Sequence, residues 1–500
     1  MLNRIKYILL FPILLAMIGN GCTKDFASLQ RNPNKPGEVP PVLLFTYLQR
    51  SALQGDNAGQ MSAQYYVSYT IGGTLDEATY FWQRYSYGGY SAVRNAYKME
   101  QEAARVNAPA YFKGLAHFFR AYSLISLTEK LGDIPYSEAM KGDEGLYYPK
   151  YDTQKQVYKG CLDELEIANE LIPATGSIDG DIIFDGSLLK WKKFVNTYRL
   201  KVLMSLSLKI GDPDIDVIGQ FRKIMADPTK YPIMTSNDDN AAFKYYDIEG
   251  QRHYFYGGWK GETPMRMSNT FGDVLVGTHD PRLFKFFDVP AVPKDLDANV
   301  FENYKSIPFG LLSTEMASME KTTSALDARY VDNPIVEPYL IQSYHDLQFI
   351  LAEAVVRGWI TGNAETYYNN GIKGSCKFYA IPDAEINKFL AGAVKYDANK
   401  ALEQICIQRW VGYFGNSHWD AVANHRRTRI RGFDPKGANT DMGWPKFNIG
   451  TANRNGGRIP YRYMYPQTEL DYNARNLADA VARQWGEDNI NNKMWTLILE

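Results

Sequence analysis

The stretch YFKGLAHFFRAYSLISLTEKLGDIPY, residues 111–136, decides the fold class. Tyr111, Leu115, Phe118, Phe119, Tyr122 and Ile125 recur at helical spacing and share one face. Gly114, Ala116 and Ala121 are small, which lets neighbouring helices approach closely. The helix ends at Gly132-Asp133-Ile134-Pro135, because Gly accepts a cap conformation and Pro cannot continue the ladder. Asp133 and Pro135 read as turn formers. A long helix with one apolar face needs partners to cover that face.

Partners lie on both sides. A second helix is predicted over about 153–172, through Tyr158, Leu162, Leu165 and Leu171. A third spans about 187–209, with Trp191, Phe194, Val195, Tyr198, Val202 and Leu206 as its stripe. Helical period returns over about 339–425. One stripe there is Leu340, Tyr344, Leu347, Ile350, Leu351 and Ala354; another is Leu402, Ile405, Cys406, Arg409, Trp410 and Tyr413. Helix pairs on short turns predict an all-α protein with a tetratricopeptide-like framework over about 41–226 and 339–425. No repeat of fixed period accompanies it. Between the halves, residues 227–338 lose the helical period. Gly, Pro, Asp and Asn punctuate short aromatic runs, Phe243 to Tyr246 and Tyr254 to Trp259. This reads as a loop-rich, minor-β insert, and long ordered loops are where ligand sites tend to lie. The tail from Gly432 is again irregular.

The N-terminus speaks to location. Arg4 and Lys6 precede an apolar run from Ile8 to Ile18, broken only by Pro12. That run is short of the ~20 residues a bilayer span needs, and it fits a signal-peptide core. Gly19-Asn20-Gly21-Cys22 follows, as at a lipoprotein processing site. The expected organisation is a signal peptide over 1–21, a lipid on Cys22, a polar tether over 22–40 and one domain over 41–500. A lipid would hold the domain at a membrane surface. Without Arg4 and Lys6, the 55 basic residues become 53 against 56 acidic ones, which excludes nucleic acid as a partner by charge. Beyond Cys22 there are Cys161, Cys376 and Cys406. They imply no disulfide framework; a Cys376–Cys406 bridge stays open, with buried thiols the favoured state. Aromatic residues make up 14% of the chain, led by 36 Tyr, a composition suited to surfaces that are half apolar and half wet, such as sugar sites.

Seven segments, in order, resemble the SusD/RagB family, closest to its SusD-like subgroup. They are Phe81-Trp82-Gln83-Arg84-Tyr85 with Arg94-Asn95-Ala96; Lys113-Gly114 to Tyr122 with Leu131-Gly132-Asp133-Ile134-Pro135-Tyr136; Trp191-Lys192-Lys193-Phe194 with Asn196, Arg199 and Leu200; Asp280-Pro281-Arg282-Leu283; Leu347 to Arg357 with Leu351-Ala352-Glu353-Ala354; Gln408-Arg409-Trp410 to Trp419 with Arg426-Arg427-Thr428; and Pro460 to Pro466 with Glu469 and Asn473. Thr23-Lys24-Asp25 likewise resembles the surface-export signal of Bacteroidota lipoproteins. The resemblance implies four tetratricopeptide-like helix pairs with a ligand site on loops and small strands. It also implies a surface protein that sits as a lid on a SusC-like, TonB-dependent outer-membrane transporter.

Most motif residues read as structural. Trp191, Phe194 and Trp410 fall on apolar stripes, and Arg199, Arg409, Arg426 and Arg427 are expected to pair with Glu353 or Asp346 or to cap helices. Ligand contacts are expected where helical stripes do not account for aromatics. The first group is Tyr80, Phe81, Trp82, Tyr85 and Tyr87, with Trp82 foremost. The second is Tyr254, Tyr256 and Trp259 beside Gly257-Gly258, followed by Tyr304 and Arg252. Asp76, Glu77 and Asn269 could meet hydroxyls. No Gly-x-Ser-x-Gly elbow and no His-Glu-x-x-His motif is present, and the six His show no ligand spacing. The alternating acids of Asp212-Pro213-Asp214-Ile215-Asp216 read as a turn and cap rather than a calcium loop, so neither metal nor cofactor is expected. The leading expectation is glycan capture for an importer, without catalysis. A peptide-binding lid of the RagB type and a surface glycoside hydrolase are the alternatives.

Overall fold

Helices α1 (Pro41–Leu53), α2 (Tyr90–Arg105), α3 (Tyr111–Leu131), α4 (Gln154–Leu171), α5 (Leu188–Ser205) and α6 (Val217–Ala226) each pack on the next in chain order. The computed structural model describes residues 38–53, 59–68, 75–257, 263–417 and 419–499. The expected signal peptide, Cys22 and Trp259 lie outside the described residues, as does the tether before residue 38. Pro41–Glu500 forms one compact unit. No helix among the described residues is long and apolar enough to cross a membrane.

The helix starts are written in side chains. Thr153 and Gln156 form a reciprocal capping box on α4, and Ser187 caps α5. Asp216 caps α6 by accepting the Gly219 N–H, while Lys155 bridges Asp212 and Asp214 at 2.8 and 2.6 Å. The acidic run is thus a turn and a cap. Helix α3 is buried on almost every side rather than on one stripe, because α2, α4 and α1 all pack on it. Its Arg120 is tolerated there because Glu100 (2.5 Å) and Glu164 (2.8 Å) both reach it. The ring of Phe118 lies 4.8 Å from Phe194, and Phe45 lies 5.4 Å from Trp191, whose indole N–H donates to Asp181 at 3.0 Å.

The insert is stitched into this frame by two short antiparallel ladders. Strand β1 (Tyr66–Ser68) pairs with β3 (Met265–Met267), in register Tyr66 with Met267. Strand β2 (Ala241–Phe243) pairs with β4 (Tyr339–Gln342). Helix α7 (Asn269–Gly277) follows β3. Leu340, read above as the start of a helical stripe, is therefore in a strand, and helix α8 (Tyr344–Val356) begins only after the Ser343 cap. Helices α9 (Ala364–Phe378), α10 (Asp383–Ala391), α11 (Ala401–Gly412) and α12 (Asp420–Thr428) complete the second half, and α13 (Gln467–Tyr472) and α14 (Ala474–Gln484) close the chain. Helix α8 rests on α5 and joins the halves. A core cluster containing Tyr65, Phe271, Phe286, Trp410 and Phe414 spans insert and helices alike.

Buried arginines hold the frame. Arg409 meets Asp346 at 2.6 Å and Arg427 meets Glu353 at 2.6 Å. Arg199 turns instead to Glu166 (2.5 Å), and Arg426 donates to the carbonyls of Tyr461 (2.6 Å) and Glu129 (2.7 Å). Cys161, Cys376 and Cys406 are buried free thiols. Burial pushes the thiols of Cys376 and Cys406 up to about 12.

Candidate ligand-binding face

The segment carrying the first aromatic group is clamped between distant parts of the chain. Tyr80 sits in the left-handed region at φ 56°, with its ring fully covered. Its hydroxyl accepts from the Gln64 amide, which also donates to the Asn448 carbonyl at 2.6 Å and accepts from the Asn448 N–H at 3.0 Å. Burial holds the Tyr80 phenol far above its ordinary value. Trp82 is 3% exposed, stacked on Tyr463 at 4.9 Å and 17° and tilted against Trp419 at 5.2 Å. Both rings, expected at a ligand surface, are packed: Tyr463 and Trp419 cover Trp82, and Tyr80 faces Phe309 at 5.7 Å. Tyr304 is likewise covered, 5% exposed, its hydroxyl donating to the Ala298 carbonyl at 2.9 Å. Tyr87 donates to the Tyr151 hydroxyl at 3.1 Å, and Asn269 accepts from the Phe309 N–H at 3.0 Å. These groups build the face rather than line it.

Tyr85 keeps part of its ring open. Lys130 stands 5.4 Å over that ring, and the Tyr85 N–H donates to the Met464 carbonyl at 3.0 Å. With Tyr198, Trp419, Glu129, Lys201 and Asp420, Tyr85 borders a recess of about 220 Å³, room for roughly seven waters at ~30 Å³ each. Burial, then the nearby Asp420, pushes the Glu129 carboxyl up. Asp420 itself is tied to Lys201 at 2.5 Å. Among the described residues nothing accepts from the indole N–H of Trp82 or Trp419. The recess has room for a single small polar molecule, not a run of sugars.

Two further candidate groups lie in the insert and at the tail loop. Tyr254 is half-buried, its ring 4.2 Å from His253, and Phe255 beneath it lies 6.4 Å from Tyr66. Tyr256 is half-buried with the Arg252 guanidinium 5.2 Å above its ring, and Arg252 also bonds Asp247 at 2.7 Å. Opposite in sequence, the tail loop is pinned back to backbone. Gly450 lies against Gly310 so closely that a Cβ would come within 2.6 Å of the Gly310 Cα, Ala452 N–H donates to Gly310 O at 2.8 Å, and Arg454 N–H donates to Thr79 O at 2.8 Å. This places the Arg454 guanidinium 3.7 Å over the ring of the half-buried Phe81. Two guanidinium–ring pairs result: Arg252 with Tyr256, and Arg454 with Phe81. Each joins an apolar ring to planar donors, the complement of a pyranose with its C–H face and hydroxyls. Arg252 and Tyr256, four residues apart, were visible in the sequence; Arg454 was not, since nothing local links it to Phe81. Trp259 and the side chain of Asp76 lie outside the described residues.

Comparison with known proteins gives this scaffold a lineage. The profile of the SusD-like family described as "Starch-binding associating with outer membrane" matches residues 33–466. A SusD homolog of Bacteroides fragilis NCTC 9343 is 33% identical, with 93% of this chain and 100% of that chain covered, at a TM-score of 0.81. A second from the same strain is 32% identical over 92% and 100%, at 0.82. A chitin-binding SusD homolog of Flavobacterium johnsoniae is 19% identical over 92% and 97%, at 0.69, a likeness of fold alone. No curated protein sequence matches. On the helical frame, the family profile over most of its length and full-length relatives at a third identity, the chain belongs to the SusD-like family of starch-binding proteins that associate with the outer membrane.

Proposed function

We propose that the protein captures glycan at the cell surface and passes it, without cleaving it, to a SusC-like, TonB-dependent transporter, while a lipid on Cys22 holds it to the outer membrane. The observation that carries the reading is the two guanidinium–ring sites, Arg252–Tyr256 in the insert and Arg454–Phe81 at the tail loop. Tyr254 adds apolar edge, and the predicted contribution of Trp259 belongs to the same run. Each ring contact is worth on the order of 1 kcal/mol, and such weak contacts suit a ligand that must be handed on. Chitin binding by a protein of the same fold is consistent with this ligand class. The transporter would need apolar surface to rest on. Tyr147, Tyr148 and Tyr472, 73%, 65% and 74% exposed, supply some on segments that Asn476 joins by donating to the Tyr148 carbonyl.

The test is a binding screen of the soluble chain from residue 23, by affinity gel and calorimetry, against polysaccharides and protein digests. Saturable polysaccharide binding without released product, unchanged by EDTA, supports the reading. Binding to peptides alone would move it to the RagB type of lid. Released oligosaccharides would make the protein a hydrolase.

A further inference from the structure

A second concavity lies behind the tail loop. The end of α12, the segment 441–461 and the C-terminal segment 491–499 enclose about 710 Å³, within the range of ligand pockets. Among the described residues its charged lining is Arg429, Arg431, Arg458 and Lys493 against Asp441, in a chain whose formal net charge is −1. Arg431 is paired with that Asp441 at 3.1 Å. Arg429 is 6% exposed, yet its guanidinium meets only carbonyls, those of Ile459 (2.8 Å), Pro460 (3.2 Å) and Asp441 (3.3 Å), and the Tyr461 ring at 4.5 Å. The Lys493 ammonium stands 5.6 Å from the same ring. Neither Lys493 nor Arg458 has an ion-pair partner among the described residues. A buried cation with no ion pair at contact distance is costly, and a concave, low-dielectric wall focuses its field outward. Burial pulls the Arg429 guanidinium below its ordinary value against the opposing pull of Tyr461, Tyr80 and Asp441.

We infer that this recess binds the anionic group of an acidic glycan, a hexuronate carboxylate or a sugar sulfate, with Arg458 and Lys493 reaching it and Arg429 supplying fixed positive charge beneath. The recess and the Arg454–Phe81 pair draw on one loop: Ala452 and Arg454 pin it to Gly310 and Thr79, while Ile449, Gly457 and Arg458 line the recess. The half-exposed Ile498 and Leu499 at its rim fit a carbohydrate better than a bare inorganic ion.

This rests on the glycan reading, so the experiment separates the two. The soluble chain and the double variant Arg458→Gln/Lys493→Gln are titrated with tri-galacturonate, a sulfated oligosaccharide, maltotriose, sodium sulfate and vesicles rich in phosphatidylglycerol. Both side chains are exposed, and the hydrogen bonds seen for the two residues are made by their backbones, to Asn453 and Asn455 at Arg458 and to Trp485 at Lys493, so the variant should melt like the parent. The expected result is binding of an acidic oligosaccharide that weakens with added salt and at least tenfold in the variant, with neutral-glycan binding unchanged. Equal acidic binding in both proteins, or neutral-glycan binding with no acidic binding, would sink the recess and leave glycan capture standing. Binding of sulfate alone would reduce the site to a simple anion site, and binding of vesicles alone would make it a lipid contact; either overturns the inference. No glycan binding of either kind would remove the proposed function as well.

Discussion

Glu353 is the place to strain the frame. It is fully buried in α8 and accepts from Arg427 at 2.6 and 2.7 Å and from Arg357 at 2.8 Å. Burial alone would push its carboxyl up; Arg427 and then Arg357 override this and hold it at about 2, against an ordinary 4.5. Converted at 1.36 kcal/mol per tenfold, that corresponds to about 3 kcal/mol of native-state stabilisation. Glu353→Gln removes the charge and leaves two guanidinium groups buried beside Phe433, and breaking such a pair from one side costs about 3–5 kcal/mol. Because the folded value lies below the unfolded one, the native state binds fewer protons. The stabilisation is complete above about 4.5 and is lost as pH falls toward about 2. Urea unfolding at pH 7, read by circular dichroism, should show the variant weaker by that margin. The gap between parent and variant should narrow as the pH drops through this window. A loss under about 1 kcal/mol, or a gap that stays constant down to pH 2, would refute the account of the pair as buried and ionised.

Other outcomes follow from the same geometry. Trp82→Ala should lower stability by about 3–5 kcal/mol, seen as a lower thermal midpoint, because its ring is packed between Tyr463 and Trp419; a variant that melts like the parent but loses glycan would return Trp82 to the ligand surface. Tyr256→Ala and Arg454→Ala should each weaken polysaccharide binding several-fold in calorimetry while leaving the melting curve in place. Gly450→Ala should destabilise the tail loop by about 1–3 kcal/mol, since φ is 73° and the added carbon would come within 2.6 Å of Gly310; unchanged protease sensitivity of the loop would contradict this. Cys22→Ala should abolish incorporation of radiolabelled fatty acid in cells.

Local physics was enough for the helices. The stripes at Tyr111 to Ile125 and Trp191 to Leu206 name buried faces, because 3.6-residue periodicity and capping side chains act within a few residues. The order of the motifs was enough for the family. That arginines would seek Asp346 and Glu353 was legible, but not which: Arg409 and Arg427 take them, while Arg199 goes to Glu166 and Arg426 to carbonyls. What the sequence could not carry was the direction of the aromatic rings. Trp82 and Tyr85 stand in one short run, yet the first is covered and the second half-open. The decision belongs to the 463–465 segment: Arg84 reaches the Tyr465 carbonyl across 381 positions of chain. Arg454 joins Phe81 by the same kind of long-range clamp, through the Thr79 carbonyl and the Gly310–Gly450 contact. Periodicity determines which residues share a side of a helix; only closure of distant loops determines which rings are left for a ligand.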